Sequence, residues 1–283
     1  MIEIVKSGLY TTIQDLGRFG YENYGVPISG SMDQLSSILS NKLLGNNDND
    51  AVMEITMTGP VLKFLDETKI CITGADISPS INDNSIDINR VYQMNKGDVL
   101  KFGKLKYGLR SYISVSGGFL AGKIMNSRSM HSSITKSNKI INGENLKIKK
   151  LKNIKTKRTI IKVNYLEHFK NNTIEVFKGP EFNKLTIKQK QVLLNKTFTI
   201  SNNNNRMAYQ LNESFDNQLD SIITSLVMQG TVQLTPSGKV IILMRDCQTC
   251  GGYPRILQLS KKSINKLSQK HVGNSIRFKL IDL

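Results

Sequence analysis

Short runs of hydrophobic and β-branched residues recur along the first half of the chain and predict a series of β-strands. The runs occupy residues 2–5, 52–56, 61–65, 69–73, 91–94, 99–102 and 111–116. Glycine, proline, asparagine and aspartate separate them, and no helical pattern alternates with them, which argues against repeated β–α–β units. The pattern therefore favours an all-β fold, mainly β with a few short helices, built as a sandwich or a barrel.

One segment, residues 31–45, has the pattern of an amphipathic helix. Ser31 can cap its N-terminus, Gln34 completes a capping box, and Gly45 ends it. The residues expected on its buried face are Leu35, Ile38, Leu39 and Leu43. Because they recur at helical spacing, the helix is predicted to pack on a core rather than to carry chemistry.

Two polar segments are predicted as loops. Residues 8–30 contain five glycines and one proline, which forbid a long helix. Within them, Asp15 and Arg18, beside Gln14, form either an internal ion pair or a clamp for a ligand. Residues 201–209 have the pattern of a polar loop leading into a short helix, in which Arg206 is well placed to meet an anion.

A hydrophobic strand predicted at residues 239–244 is followed by a dense set of polar and flexible residues. They are Asp246, Gln248, Thr249, Gly251, Gly252, Tyr253 and Pro254. Adjacent glycines let the backbone reach positive φ or approach a ligand closely. Polar groups at such a strand end face a ligand, a partner chain or each other, because burial without partners is unfavourable. The alternative is a tight hairpin whose aspartate and threonine bond their own backbone.

The same segment contains a Cys-x-x-Cys pair, Cys247 and Cys250, which does not by itself predict a metal site. Two cysteines supply two ligands, whereas structural zinc takes four. The other candidate ligands are scattered without ligand spacing: Cys71, His131, His168 and His271. A thioredoxin-type motif would open a helix, whereas this pair leaves a strand. We therefore expect no metal at the site.

Composition and charge narrow the class of protein. With 283 residues, 39% of them hydrophobic, the chain can form one large domain or two smaller ones. A cytoplasmic location is expected, because there is no membrane-length apolar run, no signal region and only three cysteines. Much of the net charge of +17 falls at residues 147–162, where lysine alternates with isoleucine and leucine. Aromatic residues for base stacking are missing there, which favours an acidic partner protein over nucleic acid or a membrane.

Segments of the first half recur in the second half about 170 residues later. Residues 2–4 match 174–176, residues 57–61 match 228–232, residues 69–76 match 239–246, and Met32 matches Met207. This collinear order predicts a duplicated β unit, with domains at 1–165 and 166–283 and the basic segment as connector. Asp76 and Asp246 would then end equivalent strands, and we expect them to share a cleft.

Several motifs together resemble one family. They are residues 8–33, 54–76, 110–118, 206–209 and 246–254. In their order and content they are similar to the family known as allophanate hydrolase subunit 2, biotin-dependent carboxyltransferase-like, or KipA. The resemblance implies two tandem cyclophilin-like β-barrel domains. It also implies the role of the C subunit in an ATP-dependent 5-oxoprolinase complex, with KipI-like and LamB/YcsF-like subunits as its partners.

On this resemblance we form a hypothesis for the chemistry, which opens the lactam of 5-oxo-L-proline to give L-glutamate. In this hypothesis, anions are bound by Arg18, Arg110 and Arg206. The substrate is oriented, or a proton is transferred, by Asp15, Asp76 and Asp246. Hydrogen bonds to a carbonyl or phosphoryl oxygen fall to Gln248, Thr249, Tyr253 and the Gly251–Gly252 backbone. ATP with Mg²⁺ is expected in the complex, although the sequence has no Walker loop.

Two other functions remain open at this point. The chain could be half of a biotin-dependent carboxyltransferase, as in urea amidolyase, with biotin and a small amide in the glycine-rich cleft. It could instead be a regulator that binds a KipI-like inhibitor of a histidine kinase. A biotin-carrier partner would favour the first of these, and binding without turnover would favour the second.

Overall fold

The computed structural model describes residues 1–149 and 165–282, which divide into two compact units. Met1–Arg18 and residues 29–149 form unit 1, whereas Phe19–Ile28 and residues 165–282 form unit 2. The basic segment predicted as a connector lies, from residue 150 onward, outside the described residues. In the described part of the chain, every helix is too short or too polar to cross a bilayer.

Unit 1 is built from two sheets around one core, and each strand predicted from the sequence is present. Its strands are β1 (Ile2–Lys6), β2 (Tyr10–Gln14), β3 (Val52–Thr56), β4 (Val61–Phe64), β5 (Thr68–Asp76), β6 (Pro79–Ile81), β7 (Asn84–Ser85), β8 (Val91–Met94), β9 (Val99–Phe102), β10 (Tyr107–Val115) and β11 (Asn145–Leu146). One sheet has the order β11-β1-β4-β9-β6-β7 and the other β2-β3-β10-β5-β8. Side chains from both sheets, such as Ile4, Phe64 and Ile113, form the core.

Strand β2 corrects the expectation that residues 8–30 are loop throughout. Its residues pair with β3 from Tyr10↔Thr56 to Gln14↔Val52. Thr11, Thr12 and Ile13 are all buried, so the glycines that flank this segment end the strand without excluding it.

The helix of unit 1, α1 (Gln34–Leu44), confirms the predicted element and the burial of Leu39, but not the predicted cap. Asp33, not Ser31, caps it, because the Asp33 carboxylate accepts from the Ser36 backbone N–H at 3.2 Å. The buried positions are Ser36, Ser37, Leu39, Ser40, Asn41 and Leu44, whereas Leu35 is exposed. The small side chains let α1 approach β5 closely enough for Thr73 Oγ1 to donate to the Ser36 carbonyl at 2.7 Å.

Unit 2 contains a closed barrel, which confirms the prediction of a barrel-type, mainly β fold. Its strands are β12 (Thr173–Lys178), β13 (Phe198–Asn204), β14 (Ala208–Ser214), β15 (Ser225–Leu226), β16 (Thr231–Leu234), β17 (Lys239–Leu243), β18 (Cys250–Gly251), β19 (Arg255–Leu259) and β20 (Ser275–Leu280). The barrel order is β12-β19-β16-β17-β14-β13-β20, while β15 and β18 form a separate two-stranded ribbon. The helices are α2 (Tyr165–Lys170), α3 (Ile187–Asn195) and α4 (Lys261–Leu267).

The segment at residues 201–209 consists of the end of β13, a turn at residues 205–207 and the start of β14, so the predicted short helix is wrong. Strands β13 and β14 pair antiparallel, with Ile200 opposite Leu211 and Asn204 opposite Tyr209. All of these except Asn204 are buried. Hydrophobic residues at every second position therefore decide the conformation here, over the asparagines between them.

The first pair of matched segments forms a strand in each unit, but the two strands pair differently. The matched segments at residues 2–4 and 174–176 are strands in both units. In unit 1, β1 pairs directly with β4, whereas β12 pairs with β19 and β20. β1 and β12 thus have different strand neighbours in the described residues, and the duplication stays a prediction.

Candidate functional site

Unit 1 has a buried polar cluster beside the N-terminus of α1. Glu54 and Tyr112 face each other on β3 and β10, and the Tyr112 hydroxyl donates to Glu54 Oε2 at 2.8 Å. The same hydroxyl accepts from the Asp33 backbone N–H at 2.7 Å, and Arg110 Nε lies 3.9 Å from Glu54 Oε1. Burial raises the pKa of Tyr112 well above its usual range, and the charges of Glu54 and Asp33 add to this. The phenol therefore remains protonated and acts as a donor.

Asp15 accepts four hydrogen bonds and holds a neighbouring loop in place. Its Oδ1 accepts from the Gly17 backbone N–H at 2.9 Å and from the hydroxyls of Ser127 and Ser129 at 2.7 and 2.6 Å. Its Oδ2 accepts from the Arg128 backbone N–H at 2.6 Å. Because each of these donors belongs to unit 1, Asp15 positions the loop that carries Arg128.

Arg18, one of the predicted phosphate-binding residues, is buried inside the same region with an exposed fraction of 1%. Its Nη1 donates to Ser29 Oγ at 3.0 Å, and its Nη2 donates to the Ser129 carbonyl oxygen. Asp15 and Arg18 are therefore linked through Ser129 rather than by a direct ion pair.

Asp76 and Arg110 lie on the neighbouring strands β5 and β10. Asp76 accepts from the Ser78 backbone N–H at 2.8 Å and pairs with Lys106 Nζ at 3.1 Å. Between these strands, Gly74 has φ +89°, and a Cβ added to it would stand 2.5 Å from the Arg110 carbonyl oxygen. Glycine is therefore required there for β5 and β10 to approach each other.

In unit 2 the predicted site residues Arg206, which is buried, and Asp246, which is half-buried, form one ion pair. Arg206 Nε donates to Asp246 Oδ2 at 2.8 Å and Nη2 donates to Oδ1 at 3.1 Å. The Asp246 backbone N–H also donates to the Arg206 carbonyl at 2.9 Å. This bidentate geometry gives a strong, charge-assisted contact that fixes the start of the Asp246–Pro254 segment.

The rest of that segment is held by the two-stranded ribbon. Leu226 pairs with Cys250, the Val227 N–H donates to the Thr249 carbonyl at 3.0 Å, and the Ile222 N–H donates to the Gly252 carbonyl at 2.9 Å. The Thr249 side chain is half-buried. Tyr253, the last predicted binding residue, is 40% exposed.

The carboxamide oxygen of Gln248 has no hydrogen-bond partner among the described residues. This Oε1 is buried and accepts from no group in the part of the chain that the structure describes. Neither Gly251 nor Gly252 has a left-handed φ, so backbone conformation does not explain them. The glycine at position 251 is explained instead by the close approach of neighbouring side chains. A Cβ on Gly251 would stand 2.8 Å from Gln233 Nε2 and 3.6 Å from Gln248 Nε2. Two carboxamides therefore converge on Gly251, and one of them has an unused acceptor.

The cysteines next to this site differ in exposure. Cys247 is buried, and burial, together with the charge of Asp246, raises the pKa of its thiol to about 12. Cys250 is exposed. Because metal binding and nucleophilic attack require a thiolate, Cys247 suits neither. Across residues 1–149 and 165–282, no three histidine, cysteine, aspartate or glutamate side chains are grouped as metal ligands.

Several residues of these clusters were missed by the sequence analysis. Glu54 and Tyr112 lie inside hydrophobic strand patterns, and Gln233 is a buried residue of β16. In each strand, a polar or hydroxyl-bearing residue at a buried position was the only available signal. Asp76 belongs to unit 1 and Asp246 to unit 2, and their sharing of one cleft remains a prediction.

Comparisons with known proteins identify a family and several relatives of this chain. Residues 24–280 match the family described as carboxyltransferase domain, subdomain A and B. The C subunit of the 5-oxoprolinase of Haemophilus influenzae is 29% identical over 289 residues, which covers 100% of this chain and 92% of that protein. The urea amidolyase of Lachancea kluyveri is 42% identical over 128 residues, or 45% of this chain and 7% of that protein.

A solved structure has the same fold. The crystal structure of the Kluyveromyces lactis urea carboxylase superposes with a TM-score of 0.91 at 24% identity. The match covers 99% of this chain and 27% of that one, so this chain spans about a quarter of the larger protein.

Proposed function

The chain belongs to the carboxyltransferase domain, subdomain A and B family, and from this premise we propose that it is the C subunit of an ATP-dependent 5-oxoprolinase complex. The similarity over the whole chain to a 5-oxoprolinase C subunit supports this choice. The proposed reaction converts 5-oxo-L-proline to L-glutamate in the cytoplasm. Its partners are the KipI-like and LamB/YcsF-like subunits of the complex.

The observation that carries the proposal is the unpaired carboxamide oxygen of Gln248. A buried acceptor without a donor is unfavourable by about 1–3 kcal/mol, so it is expected where a ligand supplies the donor. A lactam presents an N–H and a carbonyl oxygen side by side, and a carboxamide presents the complementary pair. Gln248 Oε1 would accept from the lactam N–H, while its Nε2 donates to the lactam oxygen.

Nearby groups of unit 2 suit the same substrate. The Thr249 hydroxyl is half-buried and makes a weak contact with Cys250 Sγ at 3.9 Å, and the Tyr253 phenol is partly exposed. Either hydroxyl can donate to the oxygen that gains negative charge when the lactam carbonyl is attacked. The Arg206–Asp246 pair would keep the segment rigid, which makes these two residues positioning groups.

ATP enters the reaction as the second substrate, and three arginines of this chain are already engaged by internal partners. Transfer of the γ-phosphoryl group of ATP to the lactam oxygen would release ADP and make the carbonyl carbon electrophilic. Water would then attack that carbon, and the C–N bond would break as the nitrogen takes a proton. A second water would hydrolyse the resulting acyl phosphate to L-glutamate and phosphate. The guanidinium of Arg206 is bidentate to Asp246, and that of Arg255 is bidentate to Glu181. Arg18 donates inside unit 1. We therefore assign ATP and Mg²⁺ to one of the partner proteins.

Reconstitution with the KipI-like and LamB/YcsF-like subunits tests the proposal. Gln248→Leu removes two substrate hydrogen bonds of about 1 kcal/mol each, so kcat/KM for 5-oxoproline should fall about 30-fold. Gln191→Leu, which alters an exposed glutamine on α3, is the matched control and should keep full turnover. Assembled wild-type complex that opens no 5-oxoproline with ATP would exclude this function.

A biotin-dependent carboxyltransferase is the second candidate. The 42% identity with urea amidolyase over 128 residues favours it. Gln248 would bind a small amide in this reaction as well, so the Gln248 variant alone does not separate the two. Carboxyl transfer from a biotinylated carrier to urea or another amide, without the two oxoprolinase partners, would establish this alternative.

A further inference from the structure

Unit 1 contains a cavity that none of the proposed lactam chemistry uses. Its volume is about 390 Å³, within the range of small-molecule sites. The floor consists of core side chains from both sheets and the loops that cover them, namely Ile13, Phe119, Met130 and Leu146. The apolar floor suits a ligand with an apolar body of a few carbon atoms.

The wall of this cavity has an excess of positive charge. Arg128, Lys136 and Lys147 line it together with a single acid, Glu144. Among residues 1–149 and 165–282, none of these three cations forms an ion pair with a carboxylate. Glu144 Oε2 instead accepts from the Ile141 backbone N–H at 3.3 Å. Cations without a carboxylate partner beside an apolar floor fit an anion that has an apolar body.

Arg128 is held in place from both ends. Its backbone N–H donates to Asp15 Oδ2 at 2.6 Å, and its Nη1 donates to the Ala121 carbonyl oxygen. Ser127 and Ser129, on either side, donate to Asp15 Oδ1. Its other guanidinium N–H groups therefore keep a defined direction at the cavity wall. This arrangement gives the buried Asp15 carboxylate a positioning role.

We propose that this cavity is a binding site for a small monocarboxylate with an apolar body, with Arg128 as its principal carboxylate ligand. Inorganic phosphate has no apolar body, so the apolar floor would remain in contact with water when it binds. A neutral ligand would form no ion pair with the cations of the wall. The site belongs to unit 1 alone and does not depend on the proposed lactam chemistry.

Calorimetric titration of the full chain with cyclohexanecarboxylate tests the proposal. Cyclohexanecarboxamide has the same body without charge, acetate has the charge without the body, and inorganic phosphate is a different anion. We expect saturable binding of cyclohexanecarboxylate at least about tenfold tighter than that of each comparator, weakened by added salt. Arg128→Leu should lower the affinity about tenfold or more, and Arg128→Lys should lower it less.

Arg90→Leu is the control, because Arg90 is an exposed arginine of unit 1 paired with Asp87. Its binding should equal that of the wild type, and circular dichroism should show that each variant is folded. The proposal is overturned if the carboxamide or phosphate binds as tightly as the carboxylate. It is also overturned if folded wild-type protein shows no saturable binding, or if Arg128→Leu binds as well as the wild type.

Discussion

Replacing Gln248 by methionine should make the isolated chain more stable, which is the opposite of what most buried substitutions do. Methionine has nearly the same length and shape, but it has no carbonyl oxygen to leave without a donor. In the wild type the buried Oε1 has no partner in the described residues, and such an acceptor is unfavourable by about 1–3 kcal/mol. The substitution removes this unfavourable contribution from the folded state.

The expected gain is about 1–2 kcal/mol, which corresponds to a rise of about 2–8 °C in the Tm of unit 2. The chain contains no tryptophan, so scanning calorimetry and far-UV circular dichroism are the suitable measurements. If the free energy of unfolding of Gln248→Met is instead lower than that of the wild type by about 1 kcal/mol or more, the Gln248 side chain forms a hydrogen bond within the chain. That result would refute the reasoning.

Gln233→Met provides a control with the same chemistry and the opposite sign. The Gln233 carboxamide is buried beside the same glycine, but its Nε2 donates to the Tyr253 carbonyl at 3.4 Å. Losing that contact leaves a carbonyl with one partner fewer, so a loss of about 1 kcal/mol is expected. If both substitutions stabilise, the gain comes from hydrophobicity alone and says nothing about a ligand.

Three further predictions concern other buried polar groups. Burial lowers the pKa of Lys270 from 10.5 to about 8, so the unfolded state binds more protons between these values and stability should rise with pH across this window. In pH-dependent denaturation, Lys270→Met should lose that rise relative to a control at exposed Lys262. Tyr112→Phe should lower the free energy of unfolding by about 1–3 kcal/mol in urea titrations, since it leaves two buried polar groups short of a partner. Arg206→Met should lower the free energy of unfolding by about 3–5 kcal/mol, because it leaves the Asp246 carboxylate without its partner. Adding Asp246→Leu should restore part of this loss. If the effects of the two substitutions simply add, the pairing is contradicted.

The strands were predictable because their information is local. Alternating or continuous hydrophobic runs bounded by glycine and asparagine identify β8 and β9 to the residue. The same local signal fails at β13, where the asparagines resemble a loop although Phe198 and Ile200 face the core. The buried face of α1 was predicted only in part, because leucine spacing identifies Leu39 but does not show that a sheet can accept a row of serines.

The candidate site was predictable in residue type but not in pairing. The density of polar residues after β17 identified Asp246 and Gln248 together. Nothing in the sequence shows that Asp246 meets Arg206 across a hairpin while the Gln248 oxygen meets no donor among the described residues. That difference arises from tertiary contacts between distant segments, which a local sequence pattern does not record.

Phe19–Ile28 belong to unit 2, although the segments directly before and after them belong to unit 1. This arrangement affects folding during synthesis on the ribosome. These residues are synthesised early, whereas the rest of unit 2 is synthesised last. They therefore cannot join their own unit until unit 1 has been synthesised. Unit 1 can close meanwhile, because Arg18 donates to Ser29 at 3.0 Å and Ser31 N–H donates to the Asp15 carbonyl at 2.8 Å, which joins the two ends of the Phe19–Ile28 segment. Expressing the second half as a separate fragment would therefore omit part of the unit that it is meant to isolate.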